Sequence, residues 1–333
     1  MNNRDLPFVS IILPCRNEEK HISKCLDSLV ANDYPKEKME LLVVDGMSKD
    51  KTREVLNEYK NYFLFFQILD NKKKTTPFAW NIGIKKSKGE VLLLIGAHAA
   101  YSKNYISKLT WYLNEYEADN VGAVRKTLPG GKGIVAKAIA LSLESVFGQG
   151  YSHFKIGVRY PRFVDTVLGG CYRREVFEKI GLFNEGLVRA QDLEFNLRLK
   201  KAGGKILLVP DVVVHYYARS DLKTVFLHNI DDGIWITYPL KFTRTIFRLR
   251  HYIPFLFTLS LLGVGILSFF FPYFIWIFWL ILVLYLSSSL YFSSFIALQQ
   301  RDIRLLFLMP IVFTSRHFGY GFGSVWGLIK LLF

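Results

Sequence analysis

No charged residue occurs between Tyr252 and Leu298, and the stretch 252–333 carries only Arg301, Asp302, Arg304, Arg316 and Lys330. Such a run is too long for one buried core helix and long enough for two membrane spans. It predicts a first span near 253–271, a break at Pro272 and a second span near 273–297. Gln299–Arg304 reads as a short polar turn. The last apolar segment, 305–333, is interrupted by Thr314-Ser315-Arg316-His317. It reads either as one long span or as a re-entrant pair of half-helices. Residues 1–251 have the mixed composition of a soluble domain.

Most of the net charge of +15 lies on residues 1–251. Its cations nearest the apolar tail are Lys241, Arg244, Arg248 and Arg250, with no acid between 233 and 250. That pattern suits a cytoplasmic face touching anionic membrane lipid. Residues 221–251, with Trp235, Tyr238 and Phe242 among the basic residues, read as an amphipathic juxtamembrane connector. No basic-aromatic stacking motif stands out, so nucleic acid is not an expected partner. Met1–Asp5 has no apolar signal region, which leaves the soluble part in the cytoplasm. Cys15, Cys25 and Cys171 have no metal-type spacing and fit a reducing compartment.

Phe8–Leu13, Leu41–Val44, Phe63–Leu69 and Val91–Ile95 read as strands, with helical patterns between them. This alternation predicts an α/β fold whose parallel sheet is covered on both faces. The strands end in Pro14-Cys15-Arg16-Asn17-Glu18, Asp45-Gly46-Met47-Ser48 and Gly96-Ala97-His98-Ala99. In open α/β sheets that carboxyl edge is where ligands bind. Residues 121–220 are more irregular and Gly-rich, with a later strand at Ile206–Val209.

Gln191-Asp192-Leu193-Glu194 opens a predicted helix that carries Arg198, Lys200 and Lys201 at its far end and stops on Gly203-Gly204. The polarity suits the helix dipole and a glycine C-cap. The acids are either half of a charge-complemented surface helix or a carboxylate placed as a general base. Asp45 is either a hydrogen-bond acceptor for a nucleobase or ribose, or a helix cap. Asn17 and Glu18, on the neighbouring strand end, line the same pocket or start a helix. One lysine of Lys72-Lys73-Lys74 offsets phosphate charge, or the run is solvated surface.

The order of these motifs resembles the family 2 glycosyltransferases of the GT-A fold. The segments are Pro14-x-Arg16-Asn17-Glu18, Val43-Val44-Asp45-Gly46-x-Ser48, and Asn81-x-Gly83 ahead of Gly89-Glu90-Val91-Leu92. The likeness is greater to the membrane-bound enzymes of succinoglycan-type exopolysaccharide biosynthesis. There it rests on Gly96-Ala97-His98-Ala99, Phe147-Gly148-Gln149-Gly150, Gly169-Gly170-Cys171-Tyr172-Arg173-Arg174 and His317-Phe318-Gly319-Tyr320-Gly321-Phe322-Gly323.

The resemblance implies a catalytic domain over 1–220, with a nucleotide-binding half at 1–120 and an acceptor-side half at 121–220. The connector at 221–251 and a transmembrane region at 252–333 follow. It implies Asp192 as catalytic base, with Gln191 in place of the family's preceding Glu. It puts Pro14, Arg16, Asn17, Glu18, Asp45, Lys74, Asn81, Gly96 and His98 on the nucleotide sugar, and Gly169, Gly170, Arg173 and Gln191 on the acceptor side. Arg173 and Arg174 are equally readable as surface arginines. The family's Asp-x-Asp metal motif is Gly96-Ala97-His98 here. Gly96 offers no ligand, whereas His98 is a competent ligand for Mn²⁺-like ions and less so for Mg²⁺. His215 resembles a later metal- or diphosphate-contacting histidine, or is a structural hydrogen-bonder.

The expected activity is inverting transfer from a nucleotide-diphosphate sugar, a UDP-sugar, to a lipid-linked glycan such as an undecaprenyl-diphosphate oligosaccharide. The altered metal motif motivates a rival, a non-catalytic nucleotide-sugar or glycan-binding subunit. A processive synthase would need more spans and a Gln-x-x-Arg-Trp-like motif where Asp231-Asp232-Gly233-Ile234-Trp235 stands.

Overall fold

The computed structural model describes residues 6–333 apart from 151, 242 and 244–246. Met1–Asp5, and Phe242 and Arg244 of the expected connector, lie outside the described residues. The chain divides into two units, one of residues 1–126 and 153–216, the other of residues 127–152 and 217–333.

The first unit is built on a sheet with nine strands among the described residues. They are β1 (Val9–Cys15), β2 (Met39–Asp45), β3 (Phe66–Asp70), β4 (Val91–Leu94), β5 (Ala99–Tyr101), β6 (Asn120–Leu128), β7 (Arg162–Phe163), β8 (Gly170–Arg173) and β9 (Ile206–Tyr217). Their order is β3-β2-β1-β4-β8-β6-β9-β5, with β7 also pairing β9. The first four are mutually parallel, and β8 runs antiparallel to β4.

Side chains alternate across a strand, and both faces of this sheet are covered. Val9, Ile11 and Leu13 of β1 join Leu41 and Val43 of β2 in one apolar core. Ile12 joins Leu42 and Val44 in the other. The continuous apolar runs of β1 and β2 follow directly. Ser10 breaks the run but is satisfied, because its Oγ donates to Glu40 Oε1 at 2.5 Å and accepts from Gly89 N–H at 2.7 Å.

Two elements differ from the expectation. β3 starts at Phe66 because Lys60–Tyr62 forms a 3₁₀ turn that leaves Phe63 buried ahead of the strand. β9 continues past Pro210 to Tyr217. Pro210 and Asp211 fall between its ladder to β7 at Leu207–Leu208 and its ladder to β5 at Val214–Tyr216.

The second unit is helical. Gly-rich as its surroundings are, Ile134–Glu144 is a helix, with the strong helix formers Ala136, Ala138 and Ala140 all buried. Ala138, Ile139 and Ala140 share an apolar core with Ile296, Leu305, Met309, Val312 and Phe313. The helices Ile253–Phe270 and Phe274–Gln300 are each long and apolar enough to cross a membrane. Their side chains face outward, with Phe269 88% and Trp276 73% exposed, which separates them from core helices.

The last apolar segment is one continuous helix, Arg304–Ile329, with Pro310 inside it. The connector region forms a helix at Leu222–Thr237 that packs on this last helix through glycines. A Cβ on Gly233 would lie 2.0 Å from the Tyr320 carbonyl oxygen, and one on Gly323 would lie 2.0 Å from that of Ile230. The glycines after His317 therefore let two helix backbones approach closely.

Candidate active site at the carboxyl edge of the sheet

The loops after β1 and β2 clasp each other. Asn17 N–H donates to Ser48 Oγ at 2.9 Å, and Lys49 N–H donates to Asn17 Oδ1 at 2.9 Å. Glu18 N–H donates to Thr52 Oγ1 at 2.7 Å. Asn17, Met47 and Lys74 all hold left-handed backbone, with φ of 55°, 59° and 64°. Such strain in non-glycine residues costs about 1 kcal/mol or more each and persists only where neighbouring bonds enforce it.

Asp45, fully buried, accepts from Ser48 Oγ at 2.5 Å and from Arg53 Nε at 2.6 Å. Arg53 also binds Asp70, at the end of β3. The carboxylate is therefore a tie between strand ends. The residues on either side of it, Val44 and Gly46, form the wall of a cavity.

That cavity encloses about 420 Å³ along the carboxyl edge. Pro14, Arg16 and Glu18 line it after β1, and Asn71, Lys74 and Thr75 line it after β3. Gly96, Ala97 and His98 follow β4. Ala123 and Arg125 enter from β6, Gly169 from the loop before β8, and Val214 and Tyr216 from β9. Three buried polar atoms on its walls have no protein partner: Glu18 Oε2, Thr75 Oγ1 and Trp80 Nε1. Buried polar groups are nearly always hydrogen-bonded, so this cluster is suited to a polar ligand.

His98 Nε2 lies 2.8 Å from Glu18 Oε1, and its ring packs 4.9 Å from that of His21. His215 stands opposite Ala100 in the antiparallel ladder, between Val214 and Tyr216. Those two neighbours line the cavity, so alternation turns His215 to the other face of the sheet. His98 lines the cavity, whereas His215 is not among its lining residues. Gly96 has no side-chain donor, and no group of three His, Cys, Asp or Glu placed to hold an ion occurs among the described residues. The residues present do not compose a ligand set for a divalent cation.

Asp192 lies in the first turn of the helix Gln191–Lys201, which Ala190 enters with a left-handed φ of 57°. Its Oδ1 accepts from Leu193 N–H at 2.9 Å. The second acid, Glu194, is buried and paired with Arg198 at 2.7 Å. Arg198 in turn binds the carbonyls of Ile180 and Leu182. Below them, fully buried Asn196 accepts from Asn120 Nδ2 at 3.1 Å and donates to Thr166 Oγ1 at 3.0 Å.

The Tyr172 hydroxyl lies 3.2 Å from Asn196 Oδ1 and 3.0 Å from the carbonyl oxygen of Gly169. Burial, and then the charge of Asp192, push the Tyr172 hydroxyl well above its ordinary value. A buried polar network thus links the Asp192 helix to a residue of the cavity wall. Gly170, at φ 134°, packs on Asn120. Gln191 Oε1 is buried without a partner.

Two residues expected at ligands are occupied with the fold. Arg173 donates to the carbonyls of Leu113 and Ala118. Asn81 bonds the backbone of Phe183 in both directions and donates to Glu185. Arg125, Trp80 and Tyr216 were not anticipated. Arg125 had a readable signal, because it continues the buried phase of Val121 and Ala123 along β6, where an arginine is out of place.

A family model described as glycosyl transferase family 2 matches residues 10–181. A Methanococcus voltae protein named dolichyl N-acetyl-alpha-D-glucosaminyl phosphate 3-beta-D-2,3-diacetamido-2,3-dideoxy-beta-D-glucuronosyltransferase is 30% identical over 331 residues, covering 97% of this chain and 98% of that protein. The succinoglycan biosynthesis protein ExoA of Rhizobium meliloti is 28% identical over 225 residues, 67% of each chain. Among solved structures, the mannosyltransferase PcManGT of Pyrobaculum calidifontis, in complex with GDP-Man and Mn²⁺, superposes with a TM-score of 0.58 at 17% identity. The match covers 96% of this chain and 88% of that one, a likeness of fold.

Proposed function

Because the chain belongs to glycosyl transferase family 2 and is a glycosyltransferase of GT-A fold, we propose that it moves a sugar from a nucleotide-diphosphate sugar, a UDP-sugar, to a lipid-linked glycan with inversion. The observation that carries this reading is the carboxyl-edge cavity, with its unpartnered polar atoms and its cations Arg16, Lys74 and Arg125. Ligands of open α/β sheets bind at that edge, and a diphosphate needs positive charge there.

Asp192 takes the proton of the acceptor hydroxyl as that oxygen attacks the anomeric carbon. The bond to the diphosphate breaks on the opposite face, which inverts the centre. Lys74 and Arg16 offset the charge that develops on the leaving group. A divalent cation accompanies GDP-Man in the Pyrobaculum enzyme. Gly96 and the paired His98 do not compose its ligand set here, so no step is routed through one.

The Methanococcus relative is named for a dolichyl N-acetylglucosaminyl phosphate, which supports a lipid-linked acceptor. The two exposed apolar helices support membrane association. Lys241, Arg248 and Arg250 before the first span, and Arg301 and Arg304 after the second, lie at ends that two spans bring to one side. The positive-inside rule makes that side, and the catalytic unit, cytoplasmic.

The test uses the full chain in lipid nanodiscs with UDP-sugars and a prenyl-linked acceptor. Transfer should fall by about 10²–10⁴-fold in Asp192→Asn, with donor affinity kept. Equal residual turnover in both proteins across all donors would favour the second reading, a non-catalytic nucleotide-sugar or glycan-binding subunit, which Gly96 in place of the metal-motif acid motivates.

A further inference from the structure

Trp80 lines the cavity, is only 7% exposed, and its indole Nε1 has no hydrogen-bond partner. The cavity walls hold two other such atoms, Glu18 Oε2 and Thr75 Oγ1. An ionised carboxylate only accepts, a hydroxyl does both, and an indole N–H only donates. Buried indole N–H groups usually find a partner, so the ligand group that completes Trp80 is an oxygen acceptor.

The fold holds this ring in place. On the helix Thr76–Lys86, the residues Thr76, Ala79 and Trp80 stand three and four apart and turn one face to the cavity. Helical side chains lean towards the N-terminus, here the end beside Lys74 and Thr75. The next residue, Asn81, bonds the Phe183 backbone in both directions, at 2.9 and 3.0 Å. The Phe183 ring then packs 4.7 Å from that of Trp80. Turning the indole to find another partner would give up this contact.

The neighbours of the ring decide which part of a ligand it meets. Phe183 also packs 4.3 Å from Phe195, on the helix Gln191–Lys201 that carries Asp192. Arg16 and Lys74, which offset the leaving diphosphate, lie on the loops after β1 and β3. Trp80 therefore stands on the flank between those cations and the helix of the base. In the transfer the donor sugar fills that interval, since its anomeric carbon is bonded to the diphosphate and attacked by the oxygen that the base deprotonates.

We propose that the Trp80 indole N–H donates to an oxygen of the donor sugar and is a specificity-determining residue of the transfer. This rests on the nucleotide-sugar reading above and deepens it to the recognition of the sugar.

The experiment uses the full chain in nanodiscs, without acceptor, with UDP, UDP-glucose, UDP-galactose and UDP-N-acetylglucosamine, and GDP and GDP-mannose in parallel. Trp80→Phe keeps an aromatic ring against Phe183 and removes the donor. It should weaken the nucleotide sugar that wild type binds best by about fivefold, the scale of one neutral hydrogen bond, and leave the matching nucleoside diphosphate unchanged. In wild type labelled at the indole nitrogens, the same nucleotide sugar should shift one indole NMR signal that the diphosphate alone leaves in place. That signal belongs to Trp80, because Trp111, Trp235, Trp276, Trp279 and Trp326 do not line the cavity.

Equal weakening of sugar nucleotide and diphosphate in Trp80→Phe overturns the inference, because the N–H then serves the diphosphate. So does a wild type whose indole signals all stay in place when a nucleotide sugar binds, whether or not the variant folds. If no nucleotide or nucleotide sugar binds wild type, the donor reading itself falls and takes this inference with it.

Discussion

His98 Nε2 and Glu18 Oε1 are 2.8 Å apart, so the turn after β4 is fastened to the loop after β1 across the mouth of the cavity. That ring nitrogen is already engaged, and the other oxygen of Glu18 is buried without a partner. His98→Ala removes the fastening and leaves a carboxylate of mostly buried Glu18 uncompensated. Donor affinity should drop about tenfold, read as a rise in Kd for the nucleotide sugar.

The same turn offers a gain-of-function test. A Cβ built on Gly96 meets nothing within 4 Å. Gly96→Asp should therefore fold normally and supply the acid that the metal motif lacks. Manganese should then raise the thermal midpoint of the variant by more than it raises that of wild type. Equal response in both proteins would mean that Asp at this position does not complete a cation site.

Arg53 is the counter-charge of the fully buried Asp45. Arg53→Met should destabilise the first unit by about 2 kcal/mol, less than for a fully buried pair because Arg53 is itself partly exposed. Ser48 still donates to the carboxylate. Chemical denaturation of the variant measures the loss, and a stability equal to wild type would show that Ser48 alone satisfies Asp45.

Gly170 sits at φ 134°, and a Cβ there would lie 2.1 Å from Asn120 Oδ1. Gly170→Ala strains the backbone and pushes on the network of Asn120, Asn196 and Tyr172. Turnover should fall more steeply than donor binding, because the network leads to the Asp192 helix while the cations of the donor cavity are untouched. Donor Kd and single-turnover rate, measured side by side, separate the two.

Burial pushes the Cys25 thiol from its ordinary 9.0 up to about 12. Cys15 is raised by burial and then by the charges of Asp45 and Glu18, and Cys171 is raised by burial. The folded thiols therefore hold their protons above pH 9, where those of the unfolded chain ionise. Stability from this source is complete below about pH 8 and falls as pH rises through 9 and beyond. Denaturation midpoints between pH 7 and 10.5 should show that decline, and iodoacetamide should label the folded protein slowly at pH 8.

Much of this architecture is written locally. β1 and β2 show as unbroken apolar runs because each face of their sheet has its own core, and Pro272 marks the break between two helices. The continuation of β9 past Pro210 is not local, since it depends on partners at two separate ladders. Asp45 illustrates the same limit within the site. Its strand-end position is legible, but whether its carboxylate meets a ligand or an arginine depends on Arg53, eight residues on, turning back towards it. Arg125, not anticipated, stands in the apolar phase of β6, and its place in the cavity wall comes from the fold.

The segment 127–152 belongs to the helical unit although it interrupts the sheet-bearing one in sequence. Its helix Ile134–Glu144 finds its apolar partners on Ile296, Leu305, Met309 and Phe313. Cutting the chain after Tyr217 to obtain a soluble enzyme would leave that helix as an oily loop between two halves of the fold. A detergent-free fragment of the sheet-bearing unit therefore calls for removing 127–152 as well and joining Lys126 to His153 through a linker.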